Sequence, residues 1–177
     1  MAAGFDNGDV KVFDLRMNEI RWEGNVSNGA CWVEFDRKNI EMNKLLACTL
    51  ESRFRMYDVR TLHPTKGYCS LTEQAHKSTV WCGRFLPQNR DLFATGGGNG
   101  NINLYKYNYP AQRTLKDEHG YEYGVPGTAQ LLQSKNFSTQ PICSMDFHQD
   151  KEGLVVMGSF DQSIRVAIMT KLDMVGR

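Results

Sequence analysis

The side chains able to do chemistry are few and scattered. Four histidines (His63, His76, His119, His148) and five cysteines (Cys31, Cys48, Cys69, Cys82, Cys143) are the candidate bases, nucleophiles and ligands. A nucleophile needs a base within hydrogen-bond reach and a third group to orient that base. Cys82 and His76 lie close in the chain and could be considered together, as a thiol hydrolase. Cys82, however, sits in a strand-like run between Trp81 and Gly83, which favours a structural, hydrogen-bonded role for His76. No G-x-S-x-G, H-E-x-x-H or P-loop pattern occurs. The run Gly96-Gly97-Gly98-Asn99-Gly100 leads into a strand. A phosphate cradle needs a helix N-terminus there, so this run is a hairpin turn.

Metal chemistry fares no better. The cysteines are odd in number and form no C-x-x-C pair, as buried free thiols in a reducing cytoplasm would. Asp117-Glu118-His119 is a charge cluster of the kind that solvated loops carry, and Asp6 with Asp9 is turn chemistry. Catalysis, cofactor and metal are therefore not expected.

Composition narrows the partners. The 177 residues are 41% hydrophobic and 23% charged, with a formal net charge of +1. No global field draws such a chain to nucleic acid or an anionic membrane. Its basic residues Arg37-Lys38, Arg53, Arg55, Arg60 and Lys66 are interleaved with Glu34, Asp36, Glu41 and Glu51, so no single-sign stripe forms. No apolar run reaches membrane-spanning length. The stretch Met1 to Asp6 has no secretory pattern, and Ala2 excludes N-myristoylation. Protein recognition in the cytoplasm is what remains.

The elements that would carry such a surface are visible between His76 and Lys106. Three strand-length apolar runs, Val80 to Leu86, Leu92 to Gly96 and Ile102 to Tyr105, are separated by Pro87-Gln88-Asn89 and Gly98-Asn99-Gly100. This is a three-stranded antiparallel meander. Its frame recurs. Gly96, Asn99-Gly100 and Tyr105-Lys106 match Gly4, Asn7-Gly8 and Phe13-Asp14. They also match Cys48, Glu51-Ser52 and Tyr57-Asp58, and Gly158, Asp161-Gln162 and Ala167-Ile168. The last anchors, Asp14, Asp58, Lys106 and Ile168, step by 44, 48 and 62 residues. The first two steps are close to the ~40–45 residue period of a propeller blade. Upstream strands Ala30 to Phe35, Val80 to Phe85 and Ile142 to Phe147 each end in Phe. Fainter outer strands fall at Ile20 to Glu23, Gly67 to Ser70 and Ala129 to Gln133.

This frame resembles the WD-repeat β-propeller family. Phe13-Asp14-Leu15-Arg16 and Tyr57-Asp58-Val59-Arg60 resemble its Trp-Asp ending, which gives Asp14 and Asp58 structural roles. His76, four residues before Val80, stands where the family places the His of a hydrogen-bonded network. The resemblance implies His76, Thr95, Asn99 and Tyr105 as its members here. The second unit has no matching His, and the fourth ends in Ala167-Ile168.

Longer stretches resemble the C-terminal half of the Monad family of WD-repeat proteins (WD repeat-containing protein 92). Among them are Asp6 to Arg16, Phe35 to Lys38, Thr61 to Gly67, Ala75 to Trp81, Leu86 to Arg90 and Ser159 to Gln162. That resemblance implies a cytoplasmic adaptor for preassembly of axonemal dynein arms, at dynein-assembly foci of ciliated cells. It would act with a prefoldin-like co-chaperone complex, RNA polymerase II-associated protein 3 and other preassembly factors, with a link to apoptosis. The alternative is a WD scaffold of another complex, such as a ubiquitin-ligase substrate receptor.

The expected fold is all-β: an open arc of about three and a half blades of a seven-bladed ring, as a truncated gene model or a short form would give. The expected units are residues 1–25 lacking an inner strand, 26–74, 75–137 with an insertion at 107–128, and 138–172 lacking an outer strand. An unpaired edge is expected near Val10 to Leu15. Candidate contacts on the upper face are Asp6, Asn28, Thr79, Gln140 and Phe160. On the opposite face, where the insertion should lie, they are Arg37, Arg60, His63 and Tyr109.

Overall fold

The structure is a computed structural model that describes residues 1–37 and 40–172; Lys38, read above among the scattered basic residues, lies outside them. Four antiparallel sheets follow one another along the chain. The first holds β1 (Ala2–Gly4), β2 (Asp9–Asp14) and β3 (Glu19–Asn25) in that order. The second runs β4 (Ala30–Phe35), β5 (Lys44–Thr49), β6 (Arg53–His63) and β7 (Gly67–Gln74). The third begins with β8 (Val80–Phe85), β9 (Leu92–Gly97) and β10 (Asn101–Asn108). A separate hairpin of β11 (Thr114–Lys116) and β12 (Glu122–Gly124) then intervenes, and β13 (Thr128–Asn136) completes the sheet outside β10. The fourth is β14 (Ile142–Phe147), β15 (Leu154–Ser159) and β16 (Ile164–Ile168). No helix among the described residues is long and apolar enough to cross a membrane.

The sequence repeat is a repeat of register. Gly4 pairs with Val10, Cys48 with Phe54, Gly96 with Ile102 and Gly158 with Ile164. Leu45–Tyr57, Phe93–Tyr105 and Val155–Ala167 are likewise matching stations. Each of the four hairpins turns through a left-handed residue: Gly8 (φ 87°), Ser52 (65°), Gly100 (76°) and Gln162 (65°). Glycine suits that backbone best, and at Gly100 a Cβ would also overlap the Ser138 carbonyl. The inner strands β4, β8 and β14 each carry a register shift near their start, which steps over Cys31, Trp81 and Cys143. A bulge at one place in every unit bends the strand there and raises its twist.

Cores form between the sheets. In β5, Leu45 and Ala47 pack toward the first sheet, whereas Leu46 and Cys48 pack toward the third. In β9, Phe93 faces back and Leu92 and Ala94 face forward. Alternating side chains thus serve opposite cores, so β5 and β9 are buried along their whole lengths.

The structure corrects one expectation. Val10 to Leu15 is not an open edge, because β2 is paired on both sides, by β1 and β3. The outermost inner-side strand is the short β1, whose Gly4 packs closely on Ala30 and Val33.

Candidate protein-interaction surface

The sheets present two ends. At one, the links between sheets are laced to the hairpins. Leu50 N donates to Gly29 O at 3.2 Å, Gly98 N to Thr79 O at 2.8 Å and Phe160 N to Pro141 O at 3.0 Å. All five upper-face candidates lie in these turns. Asp6 is exposed in the β1–β2 turn. The Asn28 amide donates to the Glu51 carboxylate. Thr79 Oγ1 donates to Leu50 O at 3.2 Å, and Gln140 N donates to Ser138 Oγ at 3.0 Å. Phe160 is 54% exposed, with its ring edge-on to Trp81 at 5.6 Å. This end is a shallow, self-bonded rim.

The His76 site lies beneath it. His76 Nε2 is 2.8 Å from Thr95 Oγ1, both side chains buried. Burial pushes the imidazole down to about 4, against the opposite influence of Thr95 and Asn99. Asn99 Oδ1 accepts from Asn101 N at 3.4 Å. Tyr105 stands apart from the pair, its hydroxyl donating to Ala75 O at 3.3 Å. Ala75 is the residue before His76, so backbone rather than side-chain contact joins the two. The structure does not bring Cys82 to His76. The Cys82 thiol donates to Ile142 O at 3.7 Å, and burial pushes its pKa up to about 12. A thiol so held is no nucleophile near neutral pH.

The opposite end carries more polar chemistry. Arg37 donates to Pro87 O, tying β4 to the third sheet. Arg60 is exposed beside Asp58. His63 is a buried residue rather than an accessible one, with Nε2 3.2 Å from Asp117 Oδ2 and Nδ1 accepting from the backbone of Thr65 and Lys66. Tyr109 is half-buried, with its hydroxyl 2.5 Å from Lys44 Nζ. Asp117, Glu118 and His119 do not converge: Asp117 also accepts from the His119 and Tyr121 backbone. No group of three potential metal ligands occurs among the described residues.

The insertion explains these burials. Its β11–β12 hairpin folds back onto the second sheet. Arg113 pairs with Asp58 at 2.7 Å, and Gly124 fits against Thr61 and Cys69. Lys66 sits 4.5 Å over the Tyr123 ring. Asp58 is therefore the buried anchor of the insertion. Asp14 has a simpler role: it takes three hydrogen bonds from Arg16, which hold its carboxyl well below the usual range.

The model of the WD domain, G-beta repeat, matches residues 67–106, from β7 through the His76 site to the end of the β9–β10 hairpin. The fold is that of a partial, open WD-repeat β-propeller. Its backbone is also similar to the computationally designed Ika4 protein. The TM-score is 0.66 at 14% identity, over 95% of this chain and 84% of that one. For the designed Ika8 protein it is 0.64 at 15% identity, over 95% and 42%. These likenesses speak to fold alone. In sequence, the propeller is 59% identical to dynein axonemal assembly factor 10 of Xenopus laevis, over 98% of this chain and 48% of that one. It is 58% identical to the Homo sapiens protein and 53% to that of Chlamydomonas reinhardtii, over 98% and 99% of this chain. The chain spans about half the length of the curated relatives it matches.

Two residues of this propeller escaped sequence reasoning. Lys44 is fully buried, 2.8 Å from Asp91 and 3.5 Å from Asp36. Its matching stations in β9 and β15 are Leu92 and Leu154, so a lysine at a leucine station was the available signal. Arg113 had none, because its partner Asp58 is 55 residues away.

Proposed function

We propose that this propeller is a non-catalytic protein-interaction scaffold for the cytoplasmic preassembly of axonemal dynein arms. The supporting observation is the 59% identity, across 98% of the chain, to a protein named dynein axonemal assembly factor 10. A rigid stack of sheets with two loop-bearing ends suits such work, since binding energy can concentrate in a few anchors on fixed backbone. The absence of catalysis is supported by the separation of Cys82 from His76 and by the buried, protonated thiol. Iodoacetamide should accordingly leave Cys82 unlabelled in the native protein. The finer identification with the Monad family carries its partners with it: RNA polymerase II-associated protein 3 and a prefoldin-like co-chaperone complex. In that setting the propeller holds folding clients beside chaperones.

The test is depletion of the protein from ciliating cells. Axonemes should lose dynein arms, dynein heavy chains should remain in the cell body, and tagged protein should co-isolate with preassembly factors. Intact arms after depletion, or co-isolation with ubiquitin-ligase subunits instead, would overturn the proposal.

A further inference from the structure

Resting on the scaffold function, we propose that the seam between the first and second sheets, at the insertion end, is a docking groove for an acidic peptide segment bearing a large apolar residue. The groove encloses about 660 Å3. Its floor is built from the core between the two sheets, with Val12 and Tyr68 buried beneath it and Phe35 and Val59 packed alongside. Its lips are apolar as well, yet open to water: Leu15 is 67% exposed, Met42 42% and Leu62 45%. Methionine and leucine side chains in such a place adapt to an incoming apolar group. The groove lies wholly between sheets that the chain itself supplies.

Charge selects the occupant. Three arginines line the groove: Arg16, Arg21 and Arg60. Arg16 is already held by Asp14. Among the described residues, neither the Arg21 nor the Arg60 guanidinium has a hydrogen-bond or ion-pair partner. The one lining carboxylate outside the Asp14–Arg16 pair is Glu41. Two unpaired guanidiniums beside an apolar floor favour carboxylates flanking an apolar anchor, because the fork of N–H donors is weakly hydrated and binds carboxylate in two places. Arg21 also lines a second cavity, which continues along β3 toward Lys66 and Arg55.

A phage-displayed library of random 12-residue peptides, selected on the purified chain, tests the groove. Enriched peptides should carry Asp or Glu on both sides of a Leu, Phe or Met. As fluorescein-labelled synthetic peptides they should bind more weakly as salt rises. The double variant Arg21→Glu/Arg60→Glu should lose at least about tenfold in affinity, and Leu62→Ser about tenfold. All three substitutions are at exposed positions, and an unchanged circular dichroism spectrum shows that the sheets persist. Failure to enrich acidic peptides, equal binding by the double variant, or binding only to phosphatidylserine vesicles would overturn the groove. If the double variant binds no peptide yet restores dynein arms in depleted cells, the groove is not what preassembly uses, while the scaffold function stands. Loss of arms on depletion together with failed enrichment separates the two in the same way.

Discussion

The two seams on either side of the second sheet solve one packing problem in opposite ways. Between the first and second sheets, the insertion end stays open, with an apolar floor and two arginines that have no partner among the described residues. Between the second and third, the same end is sealed by charge. Lys44 is buried with Asp36 and Asp91, donates to the Tyr109 hydroxyl, and lies over the Tyr107 and Tyr109 rings at 5.3 and 4.7 Å. Arg90 closes the network on Asp36 at 3.1 Å, and Asn43 N donates to the same carboxylate. Ions placed out of water must be fully partnered, so such a seam becomes specific and rigid. A seam closed only by apolar contact keeps surface to offer. The difference shows that equivalent stations of a repeat need not do equivalent work.

The sharpest way to break this comparison is to give Lys44 the residue found at its matching stations. Lys44→Leu should cost at most roughly 3–5 kcal/mol in urea unfolding, because Asp36 and Asp91 lose a buried cation while Asp36 keeps the partly exposed Arg90. Adding Asp36→Asn should recover a large part of that loss. If the single variant is as stable as wild type, the seam is not held by charge. On the apolar side, Leu45→Ala should cost about 2–4 kcal/mol through the cavity it leaves between the first two sheets. No second substitution of a charged residue should rescue it.

Acid should act first at the other end, on the His76 site beneath the hairpin rim. The His76 imidazole is held near 4 by burial, below the ordinary 6.5. Between those pH values the unfolded chain binds a proton that the folded chain refuses. Stability is therefore fully present above about pH 6.5 and falls as pH drops toward 4, by roughly 3 kcal/mol. His76→Gln should flatten that part of the profile, read by thermal melts from pH 7 to 4.5. An unchanged slope would mean that carboxylates elsewhere dominate. The smallest effect is expected at the insertion. Arg113→Ala removes a partly exposed pair with Asp58, costs about 1 kcal/mol or less, and should speed amide exchange in residues 114–124 alone.

The strands were legible because their signal is local. Val10 and Val12 alternate with polar residues, and Asn99-Gly100 marks a turn by its own backbone preference. Ser52 and Gln162 were harder, since neither residue announces a left-handed conformation, and only their place in the repeat betrays it. The His76–Thr95 pair could be placed by resemblance. That Tyr105 bonds to the Ala75 backbone could not, because it depends on how β10 lies against the preceding link. His63 looked like a loop residue available to partners. It is buried because a hairpin more than 50 residues later covers it.

From the residues alone came the all-β class and the repeat of short strands with its turns. These rest on strand periodicity and turn chemistry, which neighbouring residues impose on one another. Tertiary structure alone decided which seam is closed by ions and which is left apolar, and where the insertion docks. Burial and charge pairing are set by side chains that meet only when distant sheets are stacked, and the free energy of an ion depends on what then surrounds it.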